Sequence, residues 1–518
     1  MASIISSMTT TQVANLSTTN IATLTTTDIA ALSAAQAAVL STTQVAYLSS
    51  TDVAAFTATQ IAALQASVIG NLSTTQSAVL TSTEIGGLTT TQVAVLSTTN
   101  LAALTTTQVS GFKSTQVAAL TTTQVGQLTT TELGALSVAQ VGGLTSTQVG
   151  TLSTTQLGAF TSTEIGSLTV AAVGGLSTTD IGALSTTQVG GFKTTQIAAL
   201  TTTQVGGLTT TEIGSLSTTQ MGGFTAGQIT GLTTTQFGAL TSTELGALVT
   251  SQIAGLTTTE VGALTTTQLG GLRAAQLGVL TATQVAALST TDVAALTTTQ
   301  LAGFTASQVT ALTTTQVGQL TTTELGALSV AQVGGLTSTQ VGTLSTTQLG
   351  AFTSTEIGSL TVAAVGGLST TDIGALSTTQ VGGFKTTQIA ALTTTQVSSL
   401  TTTEIGVLTA VQIGGLTSTA FGALTTTEIG AFSSAQINAI SKVQVTGLTT
   451  TEIGFLTTTQ VTGLNTAAIS ALSAAQITQV STQDILAMTA AQGNAFTASQ
   501  VAGMSNDQSN ALFTVVHR

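Results

Sequence analysis

The stretch TTTQVGGL at residues 201–208 is the unit from which nearly the whole chain is built. Sixty-four octads of this kind follow one another over residues 1–512 without an insertion or deletion, and only FTVVHR at 513–518 lies outside the frame. The general form is [ST]-x-x-[Q/E/D]-[V/I/L]-[G/A]-x-[L/F]. A short, fixed period is typical of a solenoid, whose units stack on their neighbours. We therefore expect one continuous solenoid over 1–512 and a short apolar tail at 513–518.

The spacing within one octad favours a helix. Positions 5 and 8 are apolar and lie three residues apart, which is close to one helical turn. Thr or Ser at position 1, followed by Gln, Glu or Asp at position 4, is the pattern of a capping box, in which each side chain bonds the other residue's backbone N–H. The sequence thus predicts an all-α solenoid in which each octad is one short capped helix.

A β-solenoid with 16-residue coils is the alternative. Thr and Val favour strands, and Gly-Gly pairs favour corners. On composition alone this alternative stays open.

Positions 6 and 7 are mostly Gly or Ala. Gly inside a helix costs about 0.5–1 kcal/mol relative to Ala. Because the chain repeats this cost in dozens of octads, we expect neighbouring backbones to touch at these positions.

Alternate octads differ in composition. Fifteen of the seventeen acids at position 4 fall in odd-numbered octads, and nine of the ten Phe residues at position 8 fall in even-numbered ones. Residues 119–205 are duplicated as 311–397, a shift of 24 octads that preserves this alternation. The simplest interpretation is a solenoid with two octads in each coil.

Composition excludes several classes of function. The net charge is −12, with only six Lys and Arg residues, whereas a nucleic-acid groove needs several cations on one face. No cysteine is present. Polar residues interrupt every octad, so no apolar run reaches the ~18 residues of a membrane-spanning helix. We expect neither nucleic-acid binding nor membrane insertion.

The residues needed for catalysis are also scarce. The single histidine is His517, and the acids occupy the capping position. Catalysis needs acids, bases or nucleophiles that converge on one place. We expect a non-enzymatic protein without catalytic, metal or cofactor-binding residues and without a cofactor.

Units such as LTTTQVAVL (88–96) and LSTTQVAYL (40–48) resemble the Thr-rich octapeptides of large bacterial surface and extracellular proteins, including secreted adhesins. The resemblance implies an extracellular or cell-surface structural role. The start, MASIISSMTTTQ, lacks the basic and long apolar regions of a conventional cleaved signal peptide, so we expect another export route. The L-[ST]-x-x-Q-[VI] pattern is also similar to the first helix of TAL effector repeats, which implies a helix there; their base-reading loop and basic character are absent.

The leading functional interpretation is a rigid solenoid subunit that joins other copies head to tail into an extracellular filament, sheath or surface layer. The expected assembly contacts are the apolar residues at the two ends, Ile4, Ile5, Phe513, Val515 and Val516. An adhesin stalk or an ice- or glycan-binding surface is the alternative, with cell-surface glycans as the partner. A templating surface of this kind requires a flat Thr ladder at the strand spacing of about 4.7–4.9 Å.

Overall fold

The computed structural model describes residues 4–518, so the first three residues of the leading octad MASIISSM lie outside the described range. Over the described range the chain forms one 3₁₀ turn, Ile4–Ser7, and 63 short α-helices, with no strand. The all-α solenoid is confirmed, and the β-solenoid alternative is wrong. The contacts divide the chain into two compact units, Met1–Leu256 and Thr257–Arg518, and the division falls between two octads.

In the first unit, helices α1–α31 are, in order, Thr10–Ala14, Thr18–Ile21, Thr26–Ala31, Ala34–Ala37, Thr42–Ala46, Ser50–Val53, Ala58–Ala63, Ala66–Gly70, Thr74–Ser77, Ser82–Gly87, Thr90–Ala94, Thr98–Ala102, Thr106–Val109, Ser114–Ala119, Thr122–Gln127, Thr130–Leu133, Val138–Val141, Ser146–Val149, Thr154–Leu157, Ser162–Ile165, Val170–Val173, Thr178–Ile181, Thr186–Val189, Thr194–Ala199, Thr202–Val205, Thr210–Ile213, Thr218–Met221, Ala226–Thr230, Thr234–Gly238, Ser242–Ala247 and Thr250–Ala254.

In the second unit, helices α32–α63 are, in order, Thr258–Gly262, Thr266–Gly270, Ala274–Leu277, Ala282–Ala286, Thr290–Ala294, Thr298–Leu301, Ala306–Ala311, Thr314–Gln319, Thr322–Leu325, Val330–Val333, Ser338–Val341, Thr346–Leu349, Ser354–Ile357, Val362–Val365, Thr370–Ala375, Thr378–Gly382, Thr386–Ala391, Thr394–Val397, Thr402–Val407, Ala410–Gly415, Ser418–Phe421, Thr426–Gly430, Ser434–Asn438, Lys442–Val445, Thr450–Phe455, Thr458–Val461, Thr466–Ile469, Ala474–Ile477, Thr482–Ala487, Ala490–Gly493, Ala498–Ala502 and Asn506–Val516.

The capping box predicted from the sequence starts most of these helices. In the octad 201–208 the Gln204 backbone N–H donates to Thr201 Oγ1 at 3.1 Å, and the Thr201 backbone N–H donates to Gln204 Oε1 at 2.9 Å. Replacing such a Thr or Ser cap by Ala typically costs about 0.5–2 kcal/mol. Because a helix of four to six residues is too short to be stable alone, the caps are a large part of its local stability.

Each of helices α1–α62 begins at position 2 and ends between positions 5 and 7, and the chain is extended between octads. Leu200, at position 8, has φ −60° and ψ 139°, and Thr201, at position 1 of the next octad, has φ −71° and ψ 157°. Two extended residues therefore turn the chain from one helix to the next. Positions 5 and 8 point inward: Val205 and Leu208 are both buried.

The stacking partners of a helix lie three and four octads away along the chain. Within each unit a helix packs against the helices three before and three after it; α25, for example, packs against α22 and α28. Hydrogen bonds run to the octad four earlier, as from Gln196 to the carbonyl oxygens of Ile165 and Leu168. One coil thus contains between three and four octads.

The predicted coil of two octads is therefore wrong. Within each unit, positions 5 and 8 of nearly all octads are buried in a shared interior, and two short walls would leave such an interior open along both edges. Three to four walls close around it. The alternation of acids and Phe between odd and even octads therefore does not arise from a coil with two walls.

Close backbone contact at positions 6 and 7 is confirmed. A Cβ added to Gly191, at position 7, would lie 2.1 Å from the Ser162 carbonyl oxygen, and one added to Gly175 would lie 2.1 Å from the Ser146 carbonyl oxygen. In both pairs the partner is position 2 of the octad three earlier. No glycine of the described range has a positive φ. These two glycines are therefore explained by space, since no unusual backbone conformation requires them.

We predict opposite effects for two Gly→Ala substitutions in the first unit. Gly191→Ala must push two coils apart and should destabilise by about 1–3 kcal/mol, as overpacking does. Gly126 lies inside helix α15 with no neighbouring atom within 4 Å of an added Cβ, so Gly126→Ala should stabilise by about 0.5–1 kcal/mol.

Amide hydrogen exchange read by mass spectrometry measures both effects locally, which suits a stack whose units open separately. Equal protection of the two variants around the substituted octads would contradict the contact assigned to Gly191.

Candidate functional site

The dominant polar feature of the molecule is a ladder of buried Gln side chains at position 4. Each of these side chains has two tasks. Gln196 accepts a hydrogen bond from the Lys193 backbone N–H at 2.7 Å through Oε1, and its Nε2 donates to the carbonyl oxygens of Ile165 at 3.0 Å and Leu168 at 2.8 Å. The amide thus closes its own helix start and the helix end four octads earlier.

The same pair of acceptors recurs along both units. Gln140 donates to the carbonyl oxygens of Val109 and Phe112, and Gln476 donates to those of Val445 and Leu448, 31 and 28 residues earlier in each case. A net contribution of about 0.5–1.5 kcal/mol is usual for one hydrogen bond, whereas a buried polar group left unpaired costs about 1–3 kcal/mol. The ladder therefore fixes which octads stack as well as adding stability.

Sequence reasoning assigned position 4 a capping role only and missed its donor role. Glu and Gln serve equally in a capping box, so a position used for capping alone has no reason to be mostly Gln. Only Gln carries an N–H₂ group in addition to the acceptor. The excess of Gln over Glu was the signal that could have revealed the ladder.

At the amino-terminal end the structure separates the two expected contact residues. Ile4 is 79% exposed, whereas Ile5 is buried at position 5 of the first octad. The first rung of the ladder, Gln36, donates to the Ile5 carbonyl oxygen at 2.9 Å. Ile5 therefore belongs to the core of its own chain, and only Ile4 is available on the surface.

At the carboxyl-terminal end, α63 is the longest helix of the described range and covers the last coil. It packs against α60 and α61. Octad 489–496 carries Gly493 at position 5, where most other octads have Val, Ile or Leu. A Cβ on Gly493 would lie 3.0 Å from a Val516 methyl and 3.2 Å from a Val515 methyl. The tail thus fills the space that the missing side chain leaves.

The three expected contacts at this end differ in burial. Val515 is buried, Val516 is half-buried and Phe513 is 65% exposed. Phe513 stacks on His517 with ring centres 4.0 Å apart, and the Arg518 guanidinium donates to the Leu486 carbonyl oxygen at 2.9 Å. The assembly role stays a prediction for Ile4, Phe513 and Val516, while Ile5 and Val515 are held inside the chain.

The side surface carries shallow grooves and isolated apolar residues. One groove lies between coils of the first unit and is lined by Val138, Ser162, Gly166, Ser167, Gly191 and Lys193. The groove forms because Gly166 and Gly191, which line it, have no side chains to fill the space between the coils. Its only charged group is Lys193, so it does not bring an acid and a base together.

The acids are dispersed. No group of three or more His, Asp or Glu residues with metal-binding geometry occurs among residues 4–518. At position 4 each acid takes the acceptor half of the Gln role, as Glu164 does by accepting from the Thr161 backbone N–H at 2.7 Å. No described helix combines the length and the hydropathy of a membrane-crossing segment.

The family model of the ALTTAQ repeat matches six stretches of the chain, at residues 93–130, 173–210, 189–218, 197–234, 286–322 and 365–402. The matches recur through the chain, so it is a repeat protein, similar to the ALTTAQ repeat over those residues. Among curated proteins, none matches the chain.

We predict that Gln196→Glu destabilises its coil although it preserves the cap. The new carboxylate can still accept from the Lys193 backbone N–H, but it places an acceptor beside the two carbonyl oxygens that Nε2 served. In choline chloride buffer without Na⁺ or Ca²⁺, the expected loss is about 1–3 kcal/mol, the cost of a buried unpaired group.

The control is Gln127→Glu, the same substitution at an exposed position 7 in the same unit, which should change stability by no more than about 0.5 kcal/mol. Urea unfolding followed by circular dichroism, together with hydrogen exchange around residues 165–168, measures both variants. Equal losses would remove the donor role from Gln196.

Proposed function

We propose that the protein is a non-enzymatic structural element, a solenoid subunit whose copies join head to tail into an extracellular or cell-surface filament, sheath or layer. The observation that carries this proposal is the use to which each octad puts its side chains. Positions 5 and 8 fill the interior, position 4 ties one coil to another, and positions 6 and 7 allow the close approach of backbones. Within each unit such a design holds neighbouring coils in a fixed stack, and over residues 4–518 it brings together no group of three or more His, Asp or Glu residues that could hold a metal ion.

Hydrogen bonding at the two ends supports head-to-tail joining. Gln12, in octad 9–16, is exposed, and within the described residues its Nε2 has no acceptor. At the other end the last rung is Gln508, which donates to the carbonyl oxygens of Ile477 and Val480. Within the described residues, no Gln side chain donates to the corresponding carbonyl oxygens of Ile485 and Met488 in octad 481–488. A second copy would continue the ladder from these carbonyls.

Exposed apolar side chains near the two ends also support head-to-tail joining. Ile4 and Phe513 are large apolar side chains left mainly in solvent at opposite ends of the chain. Two different complementary surfaces form a heterologous contact, which gives an open filament when its rotation does not close into a ring. Ile4, Phe513 and Val516 are the residues through which we expect this contact.

The proposed location rests on the resemblance to Thr-rich octapeptides of bacterial surface proteins and on the surface of the molecule. The exposed positions 1 to 3 are mostly Thr and Ser, which are neutral and compatible with an extracellular setting. The helical fold disfavours the ice- or glycan-binding alternative, because packed helices lie about 8–10 Å apart. That distance is about twice the strand spacing that a templating Thr ladder requires.

We predict that replacing Ile4 and Phe513 together by Ser leaves the helical content unchanged and shortens or abolishes filaments. The matched control is Phe455→Ser, because Phe455 is also 65% exposed but lies at position 7 on the side of the solenoid. This control should assemble like the parent chain.

Negative-stain electron microscopy and sedimentation velocity measure filament length, and far-ultraviolet circular dichroism measures the fold. Undiminished filaments in the double variant, or equal loss in Phe455→Ser, would show that copies associate through their sides.

A further inference from the structure

Glu residues at position 4 interrupt the ladder because a carboxylate has no N–H₂ group to donate. Glu212 is 3% exposed and Glu244 is 4% exposed, so both carboxyl groups are as buried as the Gln amides of other octads. Glu164 is 7% exposed and is repeated as Glu356 in the duplicated segment. In Glu260, Oε1 is buried without a hydrogen-bond partner among the described residues. These are buried acids at positions where the rest of the stack needs a hydrogen-bond donor.

Only one oxygen of each carboxyl group is used by the cap. Glu164 Oε2 accepts from the Thr161 backbone N–H at 2.7 Å and from Thr161 Oγ1 at 3.0 Å. Glu212 Oε2 and Glu244 Oε2 accept from the backbone N–H groups of Thr209 and Thr241 in the same way. Over residues 4–518, Oε1 of these three side chains accepts no hydrogen bond.

Gln and Glu have the same length and use the same cap, so Glu Oε1 takes the place of Gln Nε2. In Gln196 and Gln228, the Nε2 atom at this place lies 2.6–3.0 Å from two carbonyl oxygens of the octad four earlier. For Glu212 the corresponding carbonyls belong to Ile181 and Leu184, and for Glu244 to Ile213 and Leu216. A Glu side chain in the conformation of these Gln residues brings three oxygens together without a donor among them.

A buried carboxylate that faces two carbonyl oxygens is costly unless a positive group joins them. Carboxylate and backbone carbonyl oxygens are the ligands that hard cations prefer, with Ca²⁺–oxygen distances of about 2.3–2.6 Å. The chain has a net charge of −12 and few basic residues to compensate it.

We propose that Glu164, Glu212 and Glu244 are cation sites, each formed by Glu Oε1 and the position-5 and position-8 carbonyl oxygens of the octad four earlier. The ion is a hard cation, Ca²⁺ or Na⁺, with water completing its coordination. The ion replaces the Gln amide as the link between coils. Most links in the stack are then Gln amides, and those at the Glu positions are ions.

Asp484 at position 4 does not form the same site. Asp is one methylene shorter than Glu, and the second oxygen of Asp484 accepts from Thr458 Oγ1 at 2.8 Å. A hydroxyl of the octad three earlier thus satisfies this carboxyl group directly. The proposal is made for the longer Glu side chain.

The test is equilibrium dialysis of the full chain against CaCl₂ in choline chloride at constant ionic strength, with bound calcium measured by mass spectrometry. The variant carries Glu164→Gln, Glu212→Gln and Glu244→Gln together, which restores the rung found in other octads and therefore preserves the fold. It should bind three Ca²⁺ fewer per chain than the parent. Asp507→Asn, which removes an exposed acid outside position 4, should lose none.

A second arm exchanges choline chloride for NaCl without calcium and follows thermal unfolding and ²³Na relaxation. Sodium that stabilises the parent but not the triple variant supports the proposal with Na⁺ as the ion. A parent chain that binds neither ion, or a triple variant that binds as much as the parent, overturns it.

Discussion

The rest of the structure depends on one side chain with two bonding partners, the Gln at position 4. Its carbonyl oxygen fixes the start of its own helix, and its amide N–H₂ group fixes the end of a helix 28–31 residues earlier, as Gln196 does with Ile165 and Leu168. Local and long-range structure are thus set by the same group. Since helices of four to six residues are unstable alone, such a coupling lets each helix form only as part of the stack.

The glycines set the distance at which this coupling works. A Gln side chain can span two coils only if their backbones are close, and contacts such as Gly191 with Ser162 allow that approach. Glycine weakens the individual helix, but the chain recovers this loss through the ladder and the filled interior. Gly126, where an added Cβ would meet no neighbouring atom within 4 Å, shows that some copies of the octad carry glycine without this benefit.

The local structure could be predicted from the sequence, whereas the size of the coil could not. The capping box, the inward positions 5 and 8 and the contacts at 6 and 7 all follow from spacing inside eight residues. The coil depends on which octads meet, and identical octads carry little information about that. The alternation of acids and Phe suggested pairing, but the ladder joins octads four apart. At the ends, hydrophobicity identified Ile5 and Val515, yet both fill the chain's own core, since α63 and Gly493 are matched to each other.

The most direct test of the ladder is a disulfide that reports which octads are neighbours. The chain has no cysteine, so any disulfide within the chain must join the two introduced cysteines. A Cβ at position 503 lies 3.5 Å from Ala474 Cβ, which suits a disulfide, whose Cβ atoms lie about 3.5–4.5 Å apart. Ala474→Cys with Gly503→Cys should therefore oxidise readily in the folded chain, whereas Ala474→Cys with Ala490→Cys, two octads apart, should stay reduced. The reverse result would contradict a coil of three to four octads and, with it, the ladder.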